Sequence, residues 1–240
     1  MYEENKQSGG KILKIAVCGM KGRMGRAVIA EIQKAGLSFA GGADIGTSPE
    51  YFAALLGDAD AVIDFSCKDA TAAYARQCAE AGVPFLSGVT GLSDSQHDEL
   101  RETGKKIPVL WSPNMSVAVN LSMAVCAYLS KKLTDFDIHI HETHHSAKKD
   151  SPSGTAINYA KAINKACGKM PPMTSARIGG ETGTHSVYFG GAYETLEITH
   201  RAGNRALFAA GAVSAAKWLA LQKPGFYCFN DFLGIGTEIF

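Results

Sequence analysis

The chain has 240 residues, 46% of them hydrophobic and 20% charged, with 26 glycines; this is the composition of a globular protein and excludes disorder, collagen and coiled coil. A chain of this length buries about 70% of its extended surface, so it needs neither disulfides nor a structural metal, and it fits one large domain or two small ones. Lys and Arg total 24 against 23 Asp and Glu, a net charge of +1, which offers little field to a polyanion and argues against a nucleic-acid partner.

Residues 1–10 are polar with paired glycines and read as a disordered tail. No apolar segment follows the charges of this tail, and no apolar run approaches about 18 residues, so neither export nor a membrane span is expected. Ile12–Cys18 is apolar and ends at Gly19, the pattern of a buried parallel strand, and Met24, Ala27, Val28 and Ile32 then take helical spacing. The alternation continues through Ser38–Ala43, Ala61–Phe65, a helix over Ala70–Ala81, Val83–Ser87, a polar helical segment over Ser93–Lys105, and Ile107–Trp111. Short strands alternating with helices predict an α/β fold, a Rossmann-like doubly wound parallel sheet covered on both faces.

Beyond Trp111 the rhythm changes. Val117–Leu133 reads as a long amphipathic helix, Phe136–Glu142 as a strand, and Ser153 to about Cys167 as a second helix. The glycine-rich stretch 179–203 holds two strand candidates, His185–Gly190 and Thr195–His200, and an apolar helix over Ala206–Leu221 follows. Strands without crossover helices predict a second domain of α+β type. Val187, Phe189, Leu196 and Ile198 alternate along these strands and fit either a core or pairing across subunits. The six cysteines, Cys18, Cys67, Cys78, Cys126, Cys167 and Cys228, form no CxxC pair and mostly lie in apolar runs. They are expected to be free, buried thiols of a cytoplasmic protein.

The turn Gly19-Met20-Lys21-Gly22-Arg23-Met24-Gly25 stands between the first strand and first helix, where a dinucleotide fold places its pyrophosphate. Glycines let the backbone approach the phosphates, and the helix N-terminus favours their charge. The spacing departs from GxGxxG, since Lys21 takes the second glycine position, and an ordinary βα turn could carry the same string. Asp44, 19 residues after Gly25 at the end of the second strand, favours the dinucleotide, because an acid there accepts hydrogen bonds from the ribose hydroxyls. Ile45 and Gly46 follow it where a 2′-phosphate would want an arginine, so NADH is expected over NADPH, with Lys21 and Arg23 the remaining cations able to reach a 2′-phosphate.

His139, His141, His144 and His145 fall close together ahead of Lys148, Lys149 and the helix start Ser153-Gly154-Thr155. Alternate histidines on one strand face suit a metal, although the lysines would repel a divalent cation; they also suit a plain polar strand edge. A third reading is an anion site with a proton donor, in which the lysines and helix start hold a carboxylate and a histidine supplies the proton.

The stretch Glu142-Thr143-His144-His145-Ser146-Ala147-Lys148-Lys149-Asp150-Ser151-Pro152-Ser153-Gly154-Thr155-Ala156 closely resembles the signature of the 4-hydroxy-tetrahydrodipicolinate reductase family, also called dihydrodipicolinate reductase. Gly22–Gly25, Asp64-Phe65-Ser66, Gly88-Val89-Thr90-Gly91, Pro113-Asn114-Met115-Ser116 and Ile198–Ala202 resemble further segments of that family in order, so the likeness runs from Lys11 onward.

The resemblance implies hydride transfer from NADH or NADPH to a cyclic imine dicarboxylate, giving tetrahydrodipicolinate on the diaminopimelate route to lysine. It implies that His144 donates the proton and Lys148 is the second catalytic cation, with His145, Ser153, Gly154 and Thr155 holding the substrate. On the cofactor side it implies Gly19, Met20, Lys21, Gly22, Arg23 and Met24 at the pyrophosphate, Asp44 at the ribose, and Gly88, Val89, Thr90, Ser112, Pro113, Asn114 and Met115 along the nicotinamide. No metal is implied. The expected division is a dinucleotide-binding domain of 11–115 plus 206–240, and a substrate-binding and oligomerisation domain of 116–205 that builds a homotetramer. Lys21, Val89, Met115 and Ala118 depart from the usual family residues, and the segment between Asp44 and Ala61 is short; these bear on cofactor fit. Two alternatives stand beside this reading: another two-domain amino-acid dehydrogenase, which would not need the His144–Thr155 segment, and a non-catalytic NAD(P)-sensing protein.

Overall fold

A computed structural model describes residues 12–236; the tail expected over 1–10 lies outside these described residues. Strands β1 (Lys14–Cys18), β2 (Ser38–Ala43), β3 (Ala61–Asp64), β4 (Phe85–Ser87) and β5 (Pro108–Trp111) alternate with helices α1 (Arg23–Lys34), α2 (Pro49–Leu56), α3 (Lys68–Ala81) and α4 (Asp94–Gly104). They are followed by α5 (Val117–Lys132), β6 (Asp137–His144), α6 (Gly154–Cys167), β7 (Met173–Arg177), β8 (Thr184–Gly190), β9 (Thr195–Arg201), α7 (Ala206–Leu219), β10 (Gly225–Tyr227) and α8 (Phe229–Phe232).

The chain divides into two compact units. One runs to Trp111 and resumes over Val213–Phe226; the other is Ser112–Ala212 with the described residues from Tyr227. The expected division differs from this at 112–115, at 206–212 and after 226. The last segment goes with the second unit because the ring of Phe229, 2% exposed, meets Gly211 there.

The first unit holds a six-stranded sheet in the order β10-β5-β4-β3-β1-β2. β1 pairs in parallel with β2 on one side and β3 on the other, and β4 and β5 follow in parallel. The strand order therefore reverses beside β1, where a doubly wound sheet opens a crevice at its carboxyl ends. Ile15, Val17, Val62, Ile63, Phe85, Leu86, Val109 and Leu110 are all 0% exposed, as expected for strands covered on both faces, and each such side chain contributes about 1.5–3 kcal/mol. Gly25, Val28 and Ile32, one face of α1, are buried. The polar α4 owes its start to a reciprocal cap between Ser93 and Gln96. α2 is absent from the sequence reading, yet its signal is local: Ser48 accepts from the Tyr51 N–H at 3.2 Å and Pro49 opens the helix.

The second unit holds a four-stranded sheet in the order β7-β6-β8-β9. β7 runs parallel to β6, whereas β8 is antiparallel to both β6 and β9. Ile138, Ile140, Val187 and Phe189 pack against Val119 and Cys126 of α5 and Tyr159, Ala160 and Ile163 of α6. Val187 and Phe189, left open between core and subunit pairing, thus face this core, while Leu196 is 41% exposed.

All six cysteines are free, but the expectation that they are buried is corrected for three: Cys167 is half-buried, and Cys67 and Cys228 are exposed. The two exposed ones stand at helix starts, Cys67 before α3 and Cys228 before α8. Among the described residues no helix is long and apolar enough to cross a membrane.

Candidate active site

In the first unit the turn after β1 is built around close backbone approach. Gly19 takes φ 77°, its N–H donates to the Ala43 carbonyl at 2.8 Å, and its own carbonyl accepts from the Gly22 N–H at 3.0 Å. A Cβ on Gly25 would lie 2.1 Å from that carbonyl oxygen and 2.7 Å from the Met20 Cα, so only glycine lets α1 come this near. Gly22 is the N-cap and no side chain caps the helix, which leaves first-turn N–H groups for an anion. Lys21, Gly22 and Arg23 are exposed, while Met20 and Met24 are half-buried. Asp44 accepts from the Lys21 and Ile45 N–H groups, each at 2.8 Å, and these two bonds hold its carboxyl below the usual carboxylate range. It remains a carboxylate able to accept ribose hydroxyls, and the turn as a whole suits a dinucleotide.

Asp64, at the end of β3, is completely buried and forms a second hub. It accepts from the Ser66 N–H at 2.9 Å, the Ser66 hydroxyl at 2.5 Å, the Thr71 hydroxyl at 2.8 Å and the Ser87 hydroxyl at 3.1 Å. Burial pushes its carboxyl up, and these hydrogen bonds oppose that shift. Beside it Gly88, Val89 and Thr90 line a cavity of about 350 Å³ with Phe65, Ser66, Cys67 and Lys68. Val89 is fixed twice: its N–H donates to the Ser87 hydroxyl at 3.2 Å and its carbonyl accepts from the Trp111 indole at 2.9 Å.

In the second unit β6 separates the histidines by parity. His139 and His141 lie on one face, each bonded to the Thr174 hydroxyl at 2.9 Å. Glu142 and His144 are buried in the strand's alternating pattern, Glu142 at 0% and His144 at 8% exposure. A single four-histidine cluster is therefore not formed, because neighbouring strand positions point to opposite faces. Nδ1 of His144 bonds Oε2 of Glu142, whose two oxygens also receive the Arg177 guanidinium at 3.0 and 2.7 Å. Burial pushes the Glu142 carboxyl up, but hydrogen bonds from Arg177, Ser175 and His144 outweigh it and hold it down at about 2.

The start of α6 meets the same cluster. Ser153 is the N-cap; its hydroxyl accepts from the Ala156 N–H at 3.2 Å and pairs with Nε2 of His185 at 2.9 Å, while its own N–H donates to Oε1 of Glu142 at 3.2 Å. The Ser153 hydroxyl, read from the sequence as offered to a carboxylate, is thus engaged internally. Gly154 is exposed, Thr155 is half-buried, and the Thr155 hydroxyl accepts from the Asn114 amide at 3.2 Å. Asn114 is anchored in turn, its carbonyl accepting from Ser112 at 2.8 Å and from Asn120 at 2.9 Å; Met115 is 1% exposed and Pro113 is exposed. His145 is half-buried, and Lys148, whose side chain is 22% exposed, pairs with Asp150 at 2.8 Å.

Arg177 and His185 were not singled out from the sequence. Arg177 reaches the site because β7 pairs with β6 in the register His144↔Arg177, and His185 because β8 pairs in the register Glu142↔His185. Burial, then the nearby His144, hold the His185 imidazole down at about 4, and its Nδ1 is buried without a hydrogen-bond partner. Glu142, His144 and His185 bring three potential ligand atoms within 4.8 Å of one another. Glu142, however, already faces the Arg177 cation, which opposes a second one.

The family model described as dihydrodipicolinate reductase, N-terminus, matches residues 13–115, and that described as dihydrodipicolinate reductase, C-terminus, matches residues 118–233. The 4-hydroxy-tetrahydrodipicolinate reductase of Archaeoglobus fulgidus is 37% identical, over 92% of this chain and 100% of that protein. The protein of the same name from Acinetobacter baumannii is also 37% identical, over 92% of this chain and 96% of its own length. In fold the chain is similar to a dipicolinate-bound dihydrodipicolinate reductase from Paenisporosarcina, with TM-score 0.77 and 18% identity over 91% of this chain and 98% of that one.

Proposed function

The chain belongs to the dihydrodipicolinate reductase family and is an NAD(P)H-dependent oxidoreductase of lysine biosynthesis, and from that premise we propose how its own residues carry the reaction. The substrate is a cyclic imine dicarboxylate, reduced to tetrahydrodipicolinate. When bound, the nicotinamide supplies the hydride. His144 delivers from Nε2 the proton that balances it, to the ring atom that gains the displaced electron pair. Lys148 stands as the cation against the charge that develops, and His145 with the N–H groups of Gly154 and Thr155 holds carboxylate oxygens. Ser153 shapes this anion site as the cap of α6. The observation that carries the reading is the buried Glu142 bonded to His144, which leaves Nε2 as the ring nitrogen for proton exchange.

The Gly19–Met24 turn is read as the pyrophosphate site, Asp44 as the ribose acceptor, and Gly88–Thr90 with Ser112–Met115 as the nicotinamide segments. NADH is the preferred reductant, because the Asp44 carboxylate would repel a 2′-phosphate and the exposed Ile45 follows it in place of an arginine. The donor set also supports a metal-free reaction, since the carboxylate of the one candidate trio among the described residues is held by Arg177. A cytoplasmic homotetramer built through the second domain completes the proposal. The exposed Tyr193 and Leu196 of the β8–β9 hairpin support it as surface able to pair. Light scattering is expected to give four protomers, and a monomer refutes that part.

The deciding assay condenses pyruvate with aspartate semialdehyde in situ and follows nicotinamide absorbance with NADH and NADPH in parallel. Oxidation of NADH at the higher catalytic efficiency is expected. No oxidation would favour a sensor, and a much higher efficiency with NADPH would overturn the cofactor preference.

A further inference from the structure

We propose that Arg177, acting through Glu142, is the positioning residue of the proton donor: the pair clips together His144, the loop that carries Lys148, and the start of α6. The inference deepens the reading of His144 as donor and rests on it.

A carboxylate at 0% exposure is strongly destabilising unless its lone pairs are satisfied. Glu142 meets this condition with a two-pronged ion pair, Nη1 of Arg177 to Oε2 at 3.0 Å and Nη2 to Oε1 at 2.7 Å. Each oxygen then takes one more donor, Oε2 the His144 ring and Oε1 the Ser153 N–H at 3.2 Å. An ionised carboxylate only accepts, so the proton of the first bond sits on Nδ1 of His144 and the imidazole is held in one orientation. Nε2 faces Gly183, where a Cβ would lie 2.9 Å away; the glycine, at φ 154°, keeps that nitrogen uncovered.

The guanidinium also donates from Nη1 to the Ala176 carbonyl at 2.7 Å and from Nη2 to the Asp150 carbonyl at 2.6 Å. Asp150 in turn pairs with Lys148. Both Nη groups are therefore engaged within the protein and Nε is buried, so Arg177 does not serve as a substrate-carboxylate ligand and acts through the groups it holds. Lysine, with a single ammonium, keeps the charge but cannot form the fork.

The test is a double-mutant comparison in the in-situ assay. Glu142→Gln, Arg177→Gln and Arg177→Lys are made alone and on a His144→Gln background, with kcat, substrate KM, NADH Kd and melting temperature measured for each. Glu142→Gln and Arg177→Gln are expected to lower kcat at least about 10-fold with NADH Kd unchanged, and Arg177→Lys to fall between them and the unmodified protein. On the His144→Gln background the further loss in kcat should shrink below about 2-fold, because holding an absent acid contributes nothing. The rise in substrate KM, transmitted through Asp150 and Ser153, should persist there. Full turnover in His144→Gln would sink the donor reading itself. A slowed His144→Gln in which the clip variants still lose their whole factor in kcat, or an unimpaired Glu142→Gln, would sink this inference alone. Should Arg177→Gln fail to fold, Glu142→Gln, nearly isosteric, and Arg177→Lys carry the comparison.

Discussion

Replacing Gly25 by alanine sets two effects of opposite sign against each other. Helix propensity alone favours alanine over glycine by about 1 kcal/mol within a helix. Against it, the new methyl would stand 2.1 Å from the Gly19 carbonyl oxygen and 2.8 Å from the Gly19 carbonyl carbon, both backbone atoms that no rotamer change can move. Relief requires a displacement of about 1 Å, yet α1 is pinned by Val28 and Ile32 at 0% exposure, and the turn by the 2.8 Å bond from Gly19 to Ala43. Overpacking of this kind costs about 1–3 kcal/mol, and a backbone neighbour puts this case at the upper end, so a net loss of about 2 kcal/mol is expected. For a chain of this size that lowers the melting temperature by about 4–8 °C. NADH affinity should fall as well, because the displaced atoms belong to the phosphate turn. Differential scanning calorimetry and an NADH fluorescence titration test both effects. A variant that melts at or above the original temperature and binds NADH equally well would refute the close-approach argument.

Further outcomes follow from the same structure. His144→Gln should cut turnover by about 10²–10⁴ with NADH Kd unchanged, as loss of a general acid does; retained turnover removes His144 from the mechanism. Lys148→Ala should damage kcat and substrate KM together, whereas an effect confined to NADH affinity would move Lys148 to the cofactor. His185, neutral in the folded state down to about 4, binds its proton earlier when unfolded, near 6.5. Stability should therefore fall as pH drops from about 6.5 towards 4, by about 3 kcal/mol for a gap of about 2.5 pH units at about 1.4 kcal/mol each. Chemical denaturation across that window should show a flatter slope in His185→Leu, and equal slopes would refute the assignment. Gly211→Ala would put a methyl 1.7 Å from the Met115 carbonyl oxygen, so a loss of about 2 kcal/mol or more is expected in calorimetry; an unchanged melting temperature would show that α7 can shift freely.

Elements with a strong local pattern were legible in the sequence. β2 occupies the expected Ser38–Ala43, and α6 begins directly after its cap Ser153. The rest is hidden for physical reasons. β7 is a half-exposed edge strand without the buried alternation that marks β6, so nothing local announces it. Arg177 consequently looks like one more surface cation until the parallel pairing with β6 brings it beside Glu142. The histidine run was legible as a chemical cluster, but which members share a face depends on strand phase: the structure keeps His144 with Glu142 and sends His139 and His141 to Thr174. Ser153, expected at the helix start as a holder of substrate, does cap α6, but its hydroxyl is already shared with Ala156 and His185.

The indole of Trp111, one of two tryptophans in the chain, gives the protein a built-in optical reporter. Its N–H is held by the Val89 carbonyl and its ring lies edge-on to His97 at 4.3 Å between centroids. Any rearrangement of the 88–90 segment that frees Val89 must break that bond and change the polarity around the indole. With Trp218→Phe removing the other indole, the emission wavelength reports the surroundings of Trp111, and stopped-flow fluorescence can time the loop's motion separately from the chemical step.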